Sequence, residues 1–367
     1  MQGDRSRILI LTAGFGEGHN SAAANLATAL ADRAVVEIAD PCHSGSPRIN
    51  RQLQNFYRFV TTHAPSVWKR IYDSTENQDF SHKSLPFMRP PEQWLAEKID
   101  TFQPDALVST YPLYPYFCDR ILQNHPSVPV FTVITDSIEI NATWRKAPSN
   151  HFLLTDELTR RSLLEKGMPA GKLVTTGFPV HPRFADGETL AAEASVSPFK
   201  VLYFPTAKKP HVRRFMLAAL EAHPDVSISV VLGRNVRTLY QRAASVKQAF
   251  PGRVRLHGWT RRVPELLMDH HLVIGKAGGA TVHEAIAAAC PMLIHHLVPG
   301  QEEGNLALLN HVGAGQLTES PLSVTKAIAH MLEDDAGLWR QMKGSLATLS
   351  RPAAANDAAS FILSNIQ

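Results

Sequence analysis

The sequence predicts an α/β protein made of two successive doubly wound domains, each a parallel sheet covered by helices. Three observations predict it. Short, continuous apolar runs alternate with helix-length segments, as strands buried on both faces do. Glycine-bearing turns sit where such runs pass into helices, the usual ligand edge of these sheets. The 367 residues also suit two domains of roughly 100–200 residues better than one.

The elements follow in order. Ile8–Thr12 is a short apolar strand, followed by a glycine loop and an Ala-rich helix over Asn20–Asp32. Val35–Ile38, Ala106–Ser109 and Val130–Thr135 read as further strands. Between them, 42–100 is a helical excursion with Leu53, Phe56, Tyr57 and Val60 at the spacing of a buried helix face, then Trp68, Tyr72, Phe80, Phe87 and Trp94. Residues 1–183 form the first domain and 184–198 a linker poor in large apolar residues. Alternation restarts over 199–345 with strands Val201–Phe204, Val226–Leu232, Val254–His257, Leu272–Ile274 and Met292–His295. Helices are expected over Arg213–Ala222, Val236–Phe250, Val263–Asp269 and Thr281–Ala289, then from Leu322 onward. A last helix within 346–367 is expected to pack back on the first domain. No tandem repeat or low-complexity tract is evident, which argues against a solenoid.

The net charge of +4 hides a local excess: residues 200–262 carry 13 basic and 2 acidic side chains. That stretch calls for an anionic partner or a solvated face. No nucleic-acid-binding motif accompanies it. Cys42, Cys118 and Cys290 are odd in number and widely spaced, which fits a reducing compartment and no disulfide framework or cysteine-rich zinc site. Arg5 and Arg7 precede Ile8-Leu-Ile-Leu11, but that apolar run ends too soon for a signal peptide. Nothing reaches the roughly 18 apolar residues of a spanning helix. A cytoplasmic protein with at most peripheral membrane contact is expected.

Two glycine loops carry the chemistry. The first is Gly14-Phe15-Gly16-Glu17-Gly18-His19. Gly16 and Gly18 let a phosphate approach the backbone at a helix N-terminus. A dinucleotide fingerprint needs a third glycine where His19 stands, so Asp40, at the position of a ribose-binding acid, supports a dehydrogenase only weakly. The second is Lys276-Ala277-Gly278-Gly279-Ala280-Thr281, whose paired glycines, cation and helix start suit a diphosphate. Thr281 and Glu284 also satisfy a capping box. The next loop, Gly300-Gln301-Glu302-Glu303-Gly304-Asn305, offers groups suited to reading hydroxyls, or carboxylates that merely favour a helix N-terminus.

Gly14-Phe-Gly-Glu-Gly-His19-Asn-Ser-Ala-Ala23 resembles the opening of monogalactosyldiacylglycerol synthases and bacterial diacylglycerol glucosyltransferases. Lys276-Ala-Gly-Gly-Ala-Thr281-x-x-Glu284 with Gly300-Gln-Glu-Glu-Gly-Asn305 resembles their donor signature. Thr135-Asp136, Gly177-Phe-Pro-Val-His-Pro182 and Gly233-Arg-Asn235 fall in order between them. The resemblance implies a GT-B architecture, two such domains facing across a cleft, as in the related peptidoglycan N-acetylglucosaminyltransferase. It implies an inverting, metal-independent enzyme that moves a hexose from a UDP-sugar to a lipid hydroxyl, without a cofactor.

By the same resemblance, Ala277–Thr281 hold the diphosphate, assisted by Lys276, Arg234 and Asn235. Glu284 takes the ribose, and Trp259 or Val263 lies against uracil. Gln301, Glu302 and Asn305 read the sugar. His19 is the preferred base because its intrinsic pKa lies near working pH, with Asp136 as second candidate or orienting partner. Two departures stand out: the glycine-rich loop after the first strand of the second domain is replaced by Pro205–Arg214, and Asn141 stands near where relatives carry a His before Trp144. Trp68, Lys69, Arg70 and Tyr72 are the expected contact with acceptor or anionic membrane, while Leu53, Phe56, Tyr57 and Val60 are expected in the core. The alternatives are a non-lipid acceptor, a UDP-sugar epimerase, a dehydrogenase and a non-catalytic nucleotide-binding relative.

Overall fold

The computed structural model describes residues 5–77, 86–124, 128–206 and 209–366. Phe80 and Lys208 lie outside these residues, as does the side chain of Lys209. The chain divides into two compact units: Met1–Pro182 with Val298–Gly304 and Ala353–Gln367, and Arg183–Leu297 with Asn305–Pro352.

The first unit carries strands β1 (Arg7–Leu11), β2 (Val35–Ala39), β3 (Ala106–Ser109), β4 (Val130–Val133), β5 (His151–Leu154) and β6 (Leu173–Thr175), ordered β2-β1-β3-β4-β5-β6. The second carries β7 (Phe199–Tyr203), β8 (Val226–Val231), β9 (Val254–His257), β10 (Leu272–Lys276), β11 (Met292–His296) and β12 (Gly315–Leu317), ordered β12-β11-β10-β7-β8-β9. All pairings are parallel. Strands β5, β6 and β12, of three or four residues each, were not foreseen.

Strand β1 shows how the sheet is held. Ile8 and Ile10 pack on one face with Leu26, Leu30, Phe131 and Val133. Leu9 and Leu11 pack on the other with Leu95, Ile99, Phe102 and Phe117. Period-two alternation between two apolar layers makes the strand a continuous apolar run. The C-terminal helix Ala354–Ser364 joins the first layer through Ala358, Ala359 and Ile362. In the second unit Trp339 is fully buried and donates to the His271 carbonyl at 2.7 Å.

Within 42–100 the helices are Pro41–Gly45, Pro47–His63, Pro65–Ser74 and Arg89–Phe102, each with proline in its first turn, where its missing N–H costs nothing. The expected buried face of Pro47–His63 needs correction. Val60 is buried and Tyr57 half-buried, but Leu53 is 37% and Phe56 53% exposed, beside Phe59 at 60%. Helical spacing identifies an apolar face without saying what covers it.

A stability comparison follows. Ile10→Ala should cost about 2–5 kcal/mol, whereas Phe56→Ser should stay within about 0.5 kcal/mol. Urea unfolding measures both, and equal losses would return Phe56 to the core.

Candidate functional site

In the first sheet the strand order reverses between β1 and β3, and ligands gather at such switch points, beyond the strand carboxyl ends. The loops after β1, β3 and β4 bring His19, Tyr111 and Asp136 to one cavity of about 180 Å³. Phe15, Tyr57, Trp68, Tyr72, Trp144 and Gln301 also line it.

His19 lies in the first turn of helix Glu17–Leu30 and is only 7% exposed. Gly16 starts that helix at φ 109°, a conformation L side chains avoid; Gly18 lies inside the first turn. The His19 Nδ1 is 3.0 Å from Thr135 Oγ1, and its ring meets Tyr111 edge-on at 5.2 Å and Trp144 at 5.9 Å. Burial lowers its pKa to about 4, partly opposed by a hydrogen bond to the Thr110 backbone. The imidazole is therefore neutral at neutral pH, and the preference for His19 as base, which rested on its intrinsic pKa, loses its footing.

Asp136 Oδ2 accepts from Trp144 Nε1 at 2.9 Å. Burial raises its pKa to about 6, the Trp144 hydrogen bond lowers it in part, and the Glu302 charge raises it further. The loop is tight: Ile138 takes φ 55°, strained backbone for a β-branched residue. Asn141 caps the turn before Trp144 by accepting from Thr143 N–H at 2.9 Å.

Residues 298–304 belong to this unit. Gln301 Oε1 accepts from Tyr57 Oη at 2.9 Å. Glu302 is buried, with Oε2 accepting from Val298 N–H at 2.9 Å; this brace replaces its expected role of sugar reader at that oxygen. Trp68 and Tyr72 line the cavity, and their Nε1 and Oη are buried, so the expectation that they face a membrane is corrected. Lys69 lies 3.3 Å from Glu303, and Arg70 is exposed.

The second sheet reverses between β7 and β10. Exposed Lys276 ends β10, and helix Gly279–Ala287 follows. Its N-cap is Gly278 with no side-chain cap, so the expected Thr281–Glu284 capping box is absent; Thr281 lies inside the first turn. The Ala277 N–H donates to His296 O at 3.3 Å, which withdraws it from a phosphate. Gly279, Ala280 and Thr281 head the helix, where N–H groups lack intrahelical partners. Burial raises the Glu284 carboxyl to about 7. Asn305 Nδ2 donates to Ala277 O at 3.0 Å, and its Oδ1 is buried without a partner. Arg234 and Asn235 are exposed in the turn after β8. Trp259 is 58% exposed with Arg261 over its ring at 5.6 Å, and Val263 opens helix Val263–Asp269.

Asp40 is used structurally: it caps Pro41–Gly45 and accepts from Tyr114 Oη at 2.9 Å, which removes the support it lent to a dehydrogenase. Among the described residues, no group of three or more His, Cys, Asp or Glu is placed to hold a metal ion. Tyr111, Trp144 and Thr135 were missed as site residues. The signals were Tyr111-Pro112 directly after an apolar strand end, and the Thr135-Asp136 and Asn141–Trp144 stretches already singled out by the resemblance.

Solved structures resemble this chain over nearly its whole length. MurG of Acinetobacter baumannii matches with a TM-score of 0.64 at 14% identity, covering 98% of this chain and 99% of that one. Anabaena HepE, solved with UDP and glucose, matches with a TM-score of 0.54 at 15% identity, covering 98% and 100%. Two doubly wound domains in this arrangement of strands define a GT-B fold. The family model of monogalactosyldiacylglycerol (MGDG) synthase matches residues 19–180. A processive diacylglycerol beta-glucosyltransferase of Bacillus cytotoxicus is 25% identical over 366 residues, covering 97% of this chain and 93% of its own. The chain is thus similar to monogalactosyldiacylglycerol synthases over residues 19–180 and to diacylglycerol glucosyltransferases over nearly its whole length.

Proposed function

We propose that the protein transfers a hexose from a UDP-sugar to a lipid hydroxyl, of diacylglycerol type, with inversion and without a metal or cofactor. One observation carries this reading: Gln301, from the motif assigned to the sugar, lines the same aromatic cavity as His19 and Asp136. The diacylglycerol glucosyltransferase relative and the UDP and glucose held by HepE support the choice of substrates.

Asp136 is the better base. A carboxyl with pKa about 6 is ionised at neutral pH and close enough to it to take a proton well. In this reading the acceptor oxygen attacks the anomeric carbon as its proton passes to Asp136, and the bond from that carbon to the diphosphate breaks. Neutral His19 supplies a fixed hydrogen-bonding group beside the acceptor. Negative charge gathers on departing UDP, where the N–H groups of Gly279, Ala280 and Thr281 and the Lys276 ammonium stabilise it. Glu284 takes the ribose hydroxyls, with Trp259 or Val263 against the base. Arg234, Asn235 and Asn305 remain secondary donor contacts.

Membrane contact is assigned to the outer face of Pro47–His63. Ile49, Leu53, Phe56 and Phe59 are 37–60% exposed on it, Arg48, Arg51 and Arg58 are exposed, and the helix has no acidic residue. Apolar insertion with basic residues suits an anionic bilayer, each Arg adding about 1 kcal/mol near the surface. No helix among the described residues is long and apolar enough to cross a membrane. The three cysteines are free and buried, which suits the cytoplasmic face proposed here.

Two tests follow. Transfer from UDP-hexose to diacylglycerol should rise with pH through about 6 as Asp136 ionises. Asp136→Asn should lower kcat about 10²–10⁴-fold and abolish that acidic limb; its survival would remove Asp136 as base. Separately, the wild type should sediment with phosphatidylglycerol vesicles in a salt-sensitive way, and Phe56→Glu/Phe59→Glu should release it while UDP binding persists. Unchanged sedimentation would clear this face of membrane contact.

A further inference from the structure

We propose that Tyr57 is a positioning residue: its hydroxyl sets the orientation of the Gln301 carboxamide and so governs recognition of the transferred sugar. The inference rests on the reading of Gln301 as a sugar contact.

Tyr57 stands on the inner side of helix Pro47–His63, whose other aromatic residues, Phe56 and Phe59, are exposed. Its ring meets Trp68 edge-on at 4.9 Å and Phe15 edge-on at 6.1 Å. Perpendicular contacts of this kind are favoured by the ring quadrupole, and two of them fix where the hydroxyl points. The hydroxyl donates to Gln301 Oε1 at 2.9 Å.

The backbone that carries Gln301 is pinned on both sides. Gly300 has φ 82°, and a Cβ there would lie 2.9 Å from the Tyr72 ring. A Cβ on Gly304 would lie 1.8 Å from the Ser137 carbonyl oxygen, so only glycine allows this approach. Between them, Glu302 binds the Val298 N–H and Glu303 faces Lys69. With the backbone held, the remaining freedom at this position is in the Gln301 side chain.

That freedom has a chemical consequence. A carboxamide presents an acceptor at one end and two donors at the other, and the two ends have nearly the same shape. With Oε1 committed to Tyr57, the Nε2 hydrogens are the end left for a ligand, suited to sugar hydroxyl oxygens. Without the Tyr57 hydroxyl, the amide can turn and present the wrong end. Tyr57 thus acts through Gln301 and need not touch the reacting atoms.

Tyr57→Phe keeps the ring and its packing and removes only the hydroxyl. Calorimetry with UDP, UDP-glucose and UDP-galactose, together with transfer kinetics on diacylglycerol, reads the outcome. Affinity for UDP should be unchanged, and affinity for the sugar nucleotide that wild type prefers should fall about fivefold, the usual net worth of one neutral hydrogen bond. The donor KM should rise by more than kcat falls. In a Gln301→Ala background the same substitution should change neither quantity further. Wild-type binding by Tyr57→Phe, or an undiminished effect in the Gln301→Ala background, would overturn the proposal. If the wild type binds UDP but gains nothing from any hexose attached to it, the reading of Gln301 fails first and the role of Tyr57 with it.

Discussion

Every strand pairing in both sheets is parallel, and the rest of the structure depends on that constraint. Parallel strands send each βα turn to the same edge, so loops far apart in sequence meet there. His19, Tyr111 and Asp136 come together for this reason, from the turns after β1, β3 and β4. The Lys276–Gly279 turn occupies the equivalent switch point of the second sheet. Burial of β1 on both faces holds the arrangement rigid, since Ile8 and Ile10 belong to one apolar layer and Leu9 and Leu11 to the other.

Desolvation then sorts the polar groups at that edge. The same removal of water that makes His19 a poorer base makes Asp136 a better one, because burial disfavours whichever form is charged. His19 falls to about 4 and Asp136 rises to about 6. The aromatic wall that excludes the water also supplies the Trp144 N–H that holds Asp136 in place. The residue preferred by its intrinsic pKa thus becomes a neutral hydrogen-bonding partner, and the second candidate a titratable carboxylate.

The fold was legible because short continuous apolar runs and glycine turns are local signals. What was not legible depended on contacts. Leu53 and Phe56 have core spacing yet lie exposed, since periodicity does not name the covering surface. Thr281 and Glu284 match a capping box, but the helix begins at Gly279, a shift of the boundary that no motif fixes. Glu302 looked like a sugar reader, and one of its oxygens is used to brace its own loop. Tyr111 and Trp144 needed the sheet order before they could be joined to His19. The cationic stretch at 200–262 also changes meaning in part: Arg253 donates to the Val226, Leu220 and His223 carbonyls, so this member of the charge excess holds structure and need not meet an anionic partner.

The central claim is group transfer to a lipid hydroxyl, and the stoichiometry of UDP release tests it most directly. UDP-hexose would be incubated with the protein, with and without diacylglycerol in mixed micelles, and UDP and hexosyl lipid quantified by mass spectrometry. The account predicts equal amounts of UDP and hexosyl lipid, formed only when the acceptor is present. Consumption or interconversion of UDP-hexose without acceptor, or UDP released with no hexosyl lipid, would contradict it.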